Sequence, residues 1–201
     1  MGRRRLAILA VAAAVGVVCA AAAVTTFPLT PTRSVAADLA TPTADYAVFS
    51  APAGSSETMP ANLLAQQTAG AEIRQQPTTV PGMLAWAVAG DGQLCIAEST
   101  SGGAGSQACA PAATLTATGD LLYTATAQGT ASTDSDQVDL LAGLAPDGVS
   151  SVTVSFADAP TVQVPVSDNG FQLQTAQLVT ITSLSWEDAH GVSETQAVGA
   201  P

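Results

Sequence analysis

From Met83 onward the apolar residues recur at every second position, and that period most limits what this chain can fold into. Leu84, Trp86 and Val88 share one phase, and after Gly90-Asp91-Gly92 the alternation resumes with Leu94 and Ile96. A period of two places one set of side chains on one face of an extended strand, whereas a helix needs a period near 3.6. Two such runs about a Gly-Asp-Gly turn predict a hairpin. Leu121, Tyr123 and Ala125 repeat the pattern, as do Val138, Leu140, Ala142 and Leu144, which end at the turn-forming Pro146-Asp147-Gly148. Val152, Val154 and Phe156 alternate with Ser151, Thr153 and Ser155. Val162, Val164 and Val166 then lead through Asp168-Asn169-Gly170 to Phe171 and Leu173, and Asn-Gly between alternating runs predicts a second hairpin.

Two irregularities carry information of their own. Pro165 has no N–H to give a ladder, which places its strand at a sheet edge. Val179 and Ile181 keep one phase while Leu184 and Trp186 keep the other, so a bulge is predicted near Thr182-Ser183. About eight short strands at this spacing predict a mainly β domain, a small antiparallel sandwich or open barrel.

Upstream the texture differs. Leu63, Leu64 and Ile73, with good helix formers between, predict one or two short helical turns broken near Gly70. Residues 25–44 are rich in Thr, Pro and Ala and read as an extended stalk. The predicted domain therefore runs over residues 45–189, with 190–201 as a loose tail.

The N-terminus predicts an address. Arg3-Arg4-Arg5 precedes nineteen residues, Leu6 to Val24, without a charge. At ~1.5 Å per residue that run spans roughly 28 Å of helix, close to a bilayer's hydrocarbon thickness. Basic residues before it and none after it until Arg33 leave residues 1–5 in the cytoplasm and export everything from Thr25 onward. The run reads as an uncleaved transmembrane anchor, since it is longer than a usual signal-peptide core. The alternative is a cleaved signal peptide and a secreted product, which Ala21-Ala22-Ala23 and the modest hydrophobicity of nine alanines support. Lipidation at Cys19 is disfavoured by Val18, where a small residue should stand.

Charge narrows the partners. Five Arg and no Lys face sixteen acidic residues, and from Gln75 to the C-terminus there are twelve acids and no Lys or Arg. Nucleic acids and anionic lipid heads are recognised through clustered cations, so both are excluded as partners of the exported part. Such a domain depends on apolar burial and backbone hydrogen bonding, with covalent help where it exists. Cys95 and Cys109 are the only cysteines beyond the apolar run, and in an oxidising compartment they are expected to pair. The segment between them, Glu98 to Gln107, reads as a Gly/Ser loop that easily brings its ends together.

The run Trp86 to Cys95, the second cysteine before Ala110-Pro111, and Gly143-Leu-Ala-Pro-Asp-Gly-Val-Ser-Ser-Val-Thr-Val together resemble uncharacterised exported proteins of actinobacteria. The resemblance covers residues 45–191. It implies a β domain outside the cell and carries no activity and no functional residue with it.

Candidate chemistry is sparse. Asp134, Asp136 and Asp139 space carboxylates as oxygen-rich calcium loops do, but lack the glycine and bidentate glutamate of an EF-hand, so a polar connector is the simpler reading. His190, the only histidine, follows Glu187 and Asp188, yet Ser185 has no nucleophile-elbow context, and a solvated turn is expected. Trp86 and Trp186 sit in strand phase with aliphatic neighbours and are expected in the core rather than on a ligand platform. Gly90-Asp91-Gly92 and Gly102-Gly103-Ala104-Gly105 are not followed by a Lys and do not open a helix, so they are not phosphate loops. No cofactor is implied. The expectation is a non-enzymatic envelope protein that acts by contact with another envelope protein or polymer. The alternatives are an enzyme with an unrecognised pocket and a calcium-dependent adhesion module.

Overall fold

Alternation becomes strand wherever a neighbour completes the backbone ladder. A computed structural model describes residues 45–50, 59–67, 69–101, 105–127 and 137–198, and these are mainly β. The apolar run 6–24, the stalk 25–44, Asp134 and Asp136 lie outside the described residues. Among the described residues no helix is long and apolar enough to cross a membrane.

Strands β1 (Glu72–Gln75), β2 (Met83–Gly90), β3 (Gln93–Thr100) and β4 (Gly105–Pro111) form one antiparallel sheet in chain order. The β2–β3 hairpin closes through Asp91 and Gly92, with φ of 50° and 73°, a turn whose twist matches paired strands. β5 (Leu122–Thr126), β6 (Gln137–Leu144), β7 (Ser151–Phe156), β8 (Val162–Pro165) and β9 (Gly170–Glu187) form the second sheet in the order β5-β6-β9-β7-β8. β10 (Ser193–Ala197) pairs with the end of β9. β8 stands at the edge, as Pro165 requires. The predicted bulge is present: Ser155 pairs with Ser183 and Phe156 with Ile181, so Thr182 is passed over.

Three apolar layers follow from which face each residue presents. Met83, Ala85, Ala87, Leu94 and Ile96 pack against Leu122, Leu140, Ala142 and Leu144, joining the two sheets face to face. The reverse face of the first sheet buries Trp86, Val88, Cys95 and Ala97 under Met59 and Leu63, the latter on α1 (Ala61–Leu64). The reverse face of β6 carries Leu141, which shares a cluster with Phe171, Val152, Val154, Val164, Leu184 and Trp186. One half of the second sheet therefore curls over the other along the 18-residue β9. The curl needs room at Gly143, paired with Phe171, where a Cβ would stand 2.1 Å from the ring's Cζ.

Several elements differ from the sequence expectation. Glu72–Gln75 is a strand rather than a helical turn, because the open edge of β2 gives its four residues a backbone ladder. The supposed Gly/Ser loop is largely strand: residues 98–100 belong to β3 and 105–107 to β4. A helix, α2 (Ala112–Thr118), occupies a stretch with no expected element; Pro111 precedes it and Gly119, at φ 71°, ends it with an N–H to Leu115 O. Ser193–Ala197 is a strand rather than a loose tail. The second hairpin turn is Asp168-Asn169, with φ of 47° and 62°, and Gly170 already belongs to β9. Its two arms meet only at the Ser167–Gly170 bridge, because β8 pairs with β7 and β9 with β6.

Candidate functional site

Four adjacent strands bring short polar side chains into register on one solvent face. Val152, Val154, Leu184 and Trp186 turn inward, so alternation turns Ser151, Thr153, Ser155, Ser183 and Ser185 outward. Pairing then aligns Gln163 with Thr153, Thr153 with Ser185, and Ser185 with Thr195, a row across β8, β7, β9 and β10. In the next row Glu187 pairs with Ser193, and Gln163 Nε2 reaches diagonally to Ser151 Oγ at 2.8 Å. Ser151, Thr153, Gln163, Ser185, Ser193 and Thr195 line a shallow groove of about 540 Å³, with Glu187, Asp188 and Glu194 also in its lining. Each hydroxyl offers a donor and two acceptors, so the face can hydrogen-bond polar surface beside its three carboxylates.

A hydrogen-bonded turn closes one end of the groove. Asp188 Oδ1 accepts the amides of Val192 and His190, each at 2.8 Å, and the Val192 amide foremost holds its carboxyl below the usual range. His190 is exposed in this turn, as expected, and no hydrogen bond joins it to Ser185 among the described residues.

A second polar centre is buried. Glu98 is 1% exposed; its Oε1 accepts from Ser106 Oγ at 2.9 Å and Thr126 Oγ1 at 2.6 Å, while Oε2 has no partner among the described residues. Burial pushes its carboxyl up, the two hydroxyls oppose that, and Asp139 adds to it. Ser106 Oγ also lies 2.6 Å from Thr124 Oγ1, so the cluster pins the first sheet to β5. Two buried amides share this lack of partners: Gln76 at both polar atoms and Gln172 at Nε2.

Of the residues singled out from sequence, Cys95 and Cys109 are brought together as a disulfide, directly opposite on β3 and β4 with Cα atoms 4.1 Å apart. Trp86 and Trp186 are both buried, at 0% and 6% exposure, in separate apolar clusters, and Trp186 also belongs to the groove's lining. Asp139 lies on β6 where the ladder to β9 slips, between Val138 and Leu140. No group of three metal-ligating side chains occurs among the described residues, which do not include Asp134 and Asp136. The hydroxyl face was half visible in the Ser-Val-Thr-Val-Ser alternation of β7; Glu98 carried no signal, since a lone Glu in a strand reads as solvated. No family model matches the chain, and no curated protein or solved structure matches it.

Proposed function

We propose that this chain is a non-enzymatic interaction protein of the cell exterior. Residues 6–24 anchor it to the membrane, and its β domain contacts a neighbouring envelope protein or polymer. The observation that carries the contact role is the Gln163–Thr153–Ser185–Thr195 row, a polar face continuous over four strands with hydroxyls on three of them. Thr153, Ser185 and Thr195, short side chains on paired strands, lose little rotamer entropy when covered, so such a face can bind through many small contacts. The Arg triplet and the uncharged run support the address.

Photocrosslinking residues placed at Thr153 and at Thr195 should capture the same discrete envelope neighbour in intact cells. A probe at exposed Leu64 should not. Identical adducts from all three positions, or none from Thr153 and Thr195, would overturn the contact role. Intact mass of the membrane fraction should retain Met1 or Gly2, whereas a soluble form beginning near Thr25 would make residues 6–24 a cleaved signal.

A further inference from the structure

We propose that the seam between β8 and the first half of β9 is a strand-acceptor site, where an extended, cation-bearing peptide segment of another protein adds to the sheet by backbone hydrogen bonding. The site is separate from the hydroxyl face, although Gln163 borders both.

The seam exists because a hairpin opens. Ser167 and Gly170 exchange two backbone hydrogen bonds of 2.9 Å, after which β8 follows β7 and β9 follows β6. In an antiparallel ladder, alternate residues turn both backbone groups toward one neighbour. Ala145 N donates to Asn169 O at 2.8 Å and Leu144 faces Gly170, so residues 169, 171 and 173 serve β6. The N–H and C=O of Gln172 and Gln174 therefore point into the seam. On the other wall Val166 N donates to Ser150 O at 2.9 Å and Val164 faces Val152, which directs residues 162, 164 and 166 to β7. Gln163 N–H and C=O, and Pro165 C=O, point into the seam. None of these groups has a backbone partner among the described residues.

Between the walls lies a groove of about 390 Å³, whose lining includes Val80, Pro81, Pro165 and Leu173 and contains no charged side chain. Gln172 also lines it, 6% exposed, its Oε1 taken by Thr79 N at 3.2 Å and its Nε2 without an acceptor among the described residues. A buried amide donor left unpaired is costly, and a carbonyl-bearing occupant would satisfy it. Paired backbone groups repeated two residues apart, at Gln172 and Gln174, match the repeat of an added strand. Charge selects among strands. Twelve acidic residues and no Lys or Arg follow Arg74, and Asp158 and Asp168 bracket β8. This field favours cationic residues on the occupant and repels a second copy of the same domain.

The probe is the peptide acetyl-Arg-Arg-Thr-Val-Thr-Val-Thr-Arg-Arg-amide, added to the full chain, with amide hydrogen exchange read by NMR. Exchange at Gln163, Gln172 and Gln174 should slow about tenfold or more at saturation. The same peptide N-methylated at every Thr and Val, which leaves neither of its edges able to pair, should give no slowing. A version with Glu in place of Arg should bind at least about tenfold more weakly. Gln174→Pro removes a donor that faces the seam rather than β6, and should weaken binding about tenfold. Unchanged exchange at all three amides, equal binding of the N-methylated peptide, equal binding of the Glu peptide, or protection confined to β10 would each overturn the proposal. The exchange measurement on the unsubstituted chain decides the matter even if the proline variant does not fold. Loss of crosslinks at Thr153 and Thr195 would remove the hydroxyl-face role without touching this one.

Discussion

The carboxyl of Glu98 sits where β3 and β4 meet β5, tied to Ser106 and Thr126 through one oxygen and buried without a partner at the other. Because burial raises its pKa, the folded chain holds this proton to a higher pH than the unfolded chain does. Its contribution to stability is therefore full below about pH 4.3, the ordinary glutamate value, and is lost as pH rises through the raised value. Comparing urea midpoints of Glu98→Gln and the parent isolates this group from the other carboxylates. The difference should move in the variant's favour from pH 4 to pH 7; a constant difference would mean that Glu98 titrates normally. Gly143 tests the curl of the second sheet in the same residue-by-residue way. Gly143→Ala should cost roughly 1–3 kcal/mol through its clash with the Phe171 ring. Phe171→Leu in that background should recover part of the loss, a coupling that a double-mutant cycle measures directly.

At the level of elements, the disulfide joins two strands that already pair, with Cys95 opposite Cys109 across β3 and β4. Among the described residues β4 has a ladder on one side only, so the covalent link holds an edge strand whose loss would expose the Glu98 cluster. Cys95→Ser or Cys109→Ser should each cost ~2–4 kcal/mol, and the double variant should be no worse than either single one. Thiol labelling of denatured, non-reduced protein should find Cys19 alone when residues 6–24 are retained. The elements legible in the sequence were those whose own residues dictate their state. Asp91-Gly92 can adopt the positive φ of a tight turn, the Val152–Val154–Phe156 phase admits only a strand, and the slip at Thr182 follows from apolar side chains changing face. β1, β4 and β10 were not legible, because Glu72–Gln75, Gly105–Pro111 and Ser193–Ala197 are polar or small and become strands through what their neighbours offer. The candidate face shared that limit: the outward phase of Ser151 and Thr153 could be read, but its fourth strand could not. The seam was hidden for a related reason, since Asn169-Gly170 promised a closed hairpin and only the competition of β6 and β7 for its arms opened it.

Across the whole molecule the charge is one-sided. Beyond Arg74 no Lys or Arg exists to neutralise twelve acidic residues, and Arg74 is itself paired with Glu72. Folding draws carboxylates together: Asp45, Asp120 and Asp147 all act on the buried Tyr46 hydroxyl and push its pKa up, after burial itself. Asp147 is partly compensated, since its Oδ1 accepts Ala47 N at 2.8 Å and Asn169 Nδ2 at 2.7 Å, but that compensation comes from neutral donors. Most domains gain a little from surface ion pairs and lose it in salt. This one should behave in the opposite sense. The screening length shrinks from about 30 Å at 0.01 M salt to about 10 Å at 0.1 M, which weakens repulsion in the folded state more than in the expanded unfolded chain. The unfolding free energy from urea titration at pH 7 should therefore rise with NaCl over that range, by on the order of 1 kcal/mol for a few screened carboxylate pairs, and the midpoint with it. At pH 3, where most carboxyls are protonated, the same salt series should be nearly flat. A midpoint that falls with salt at pH 7 would show that attraction, not repulsion, dominates the surface, and would require cationic partners that the sequence after Arg74 does not contain.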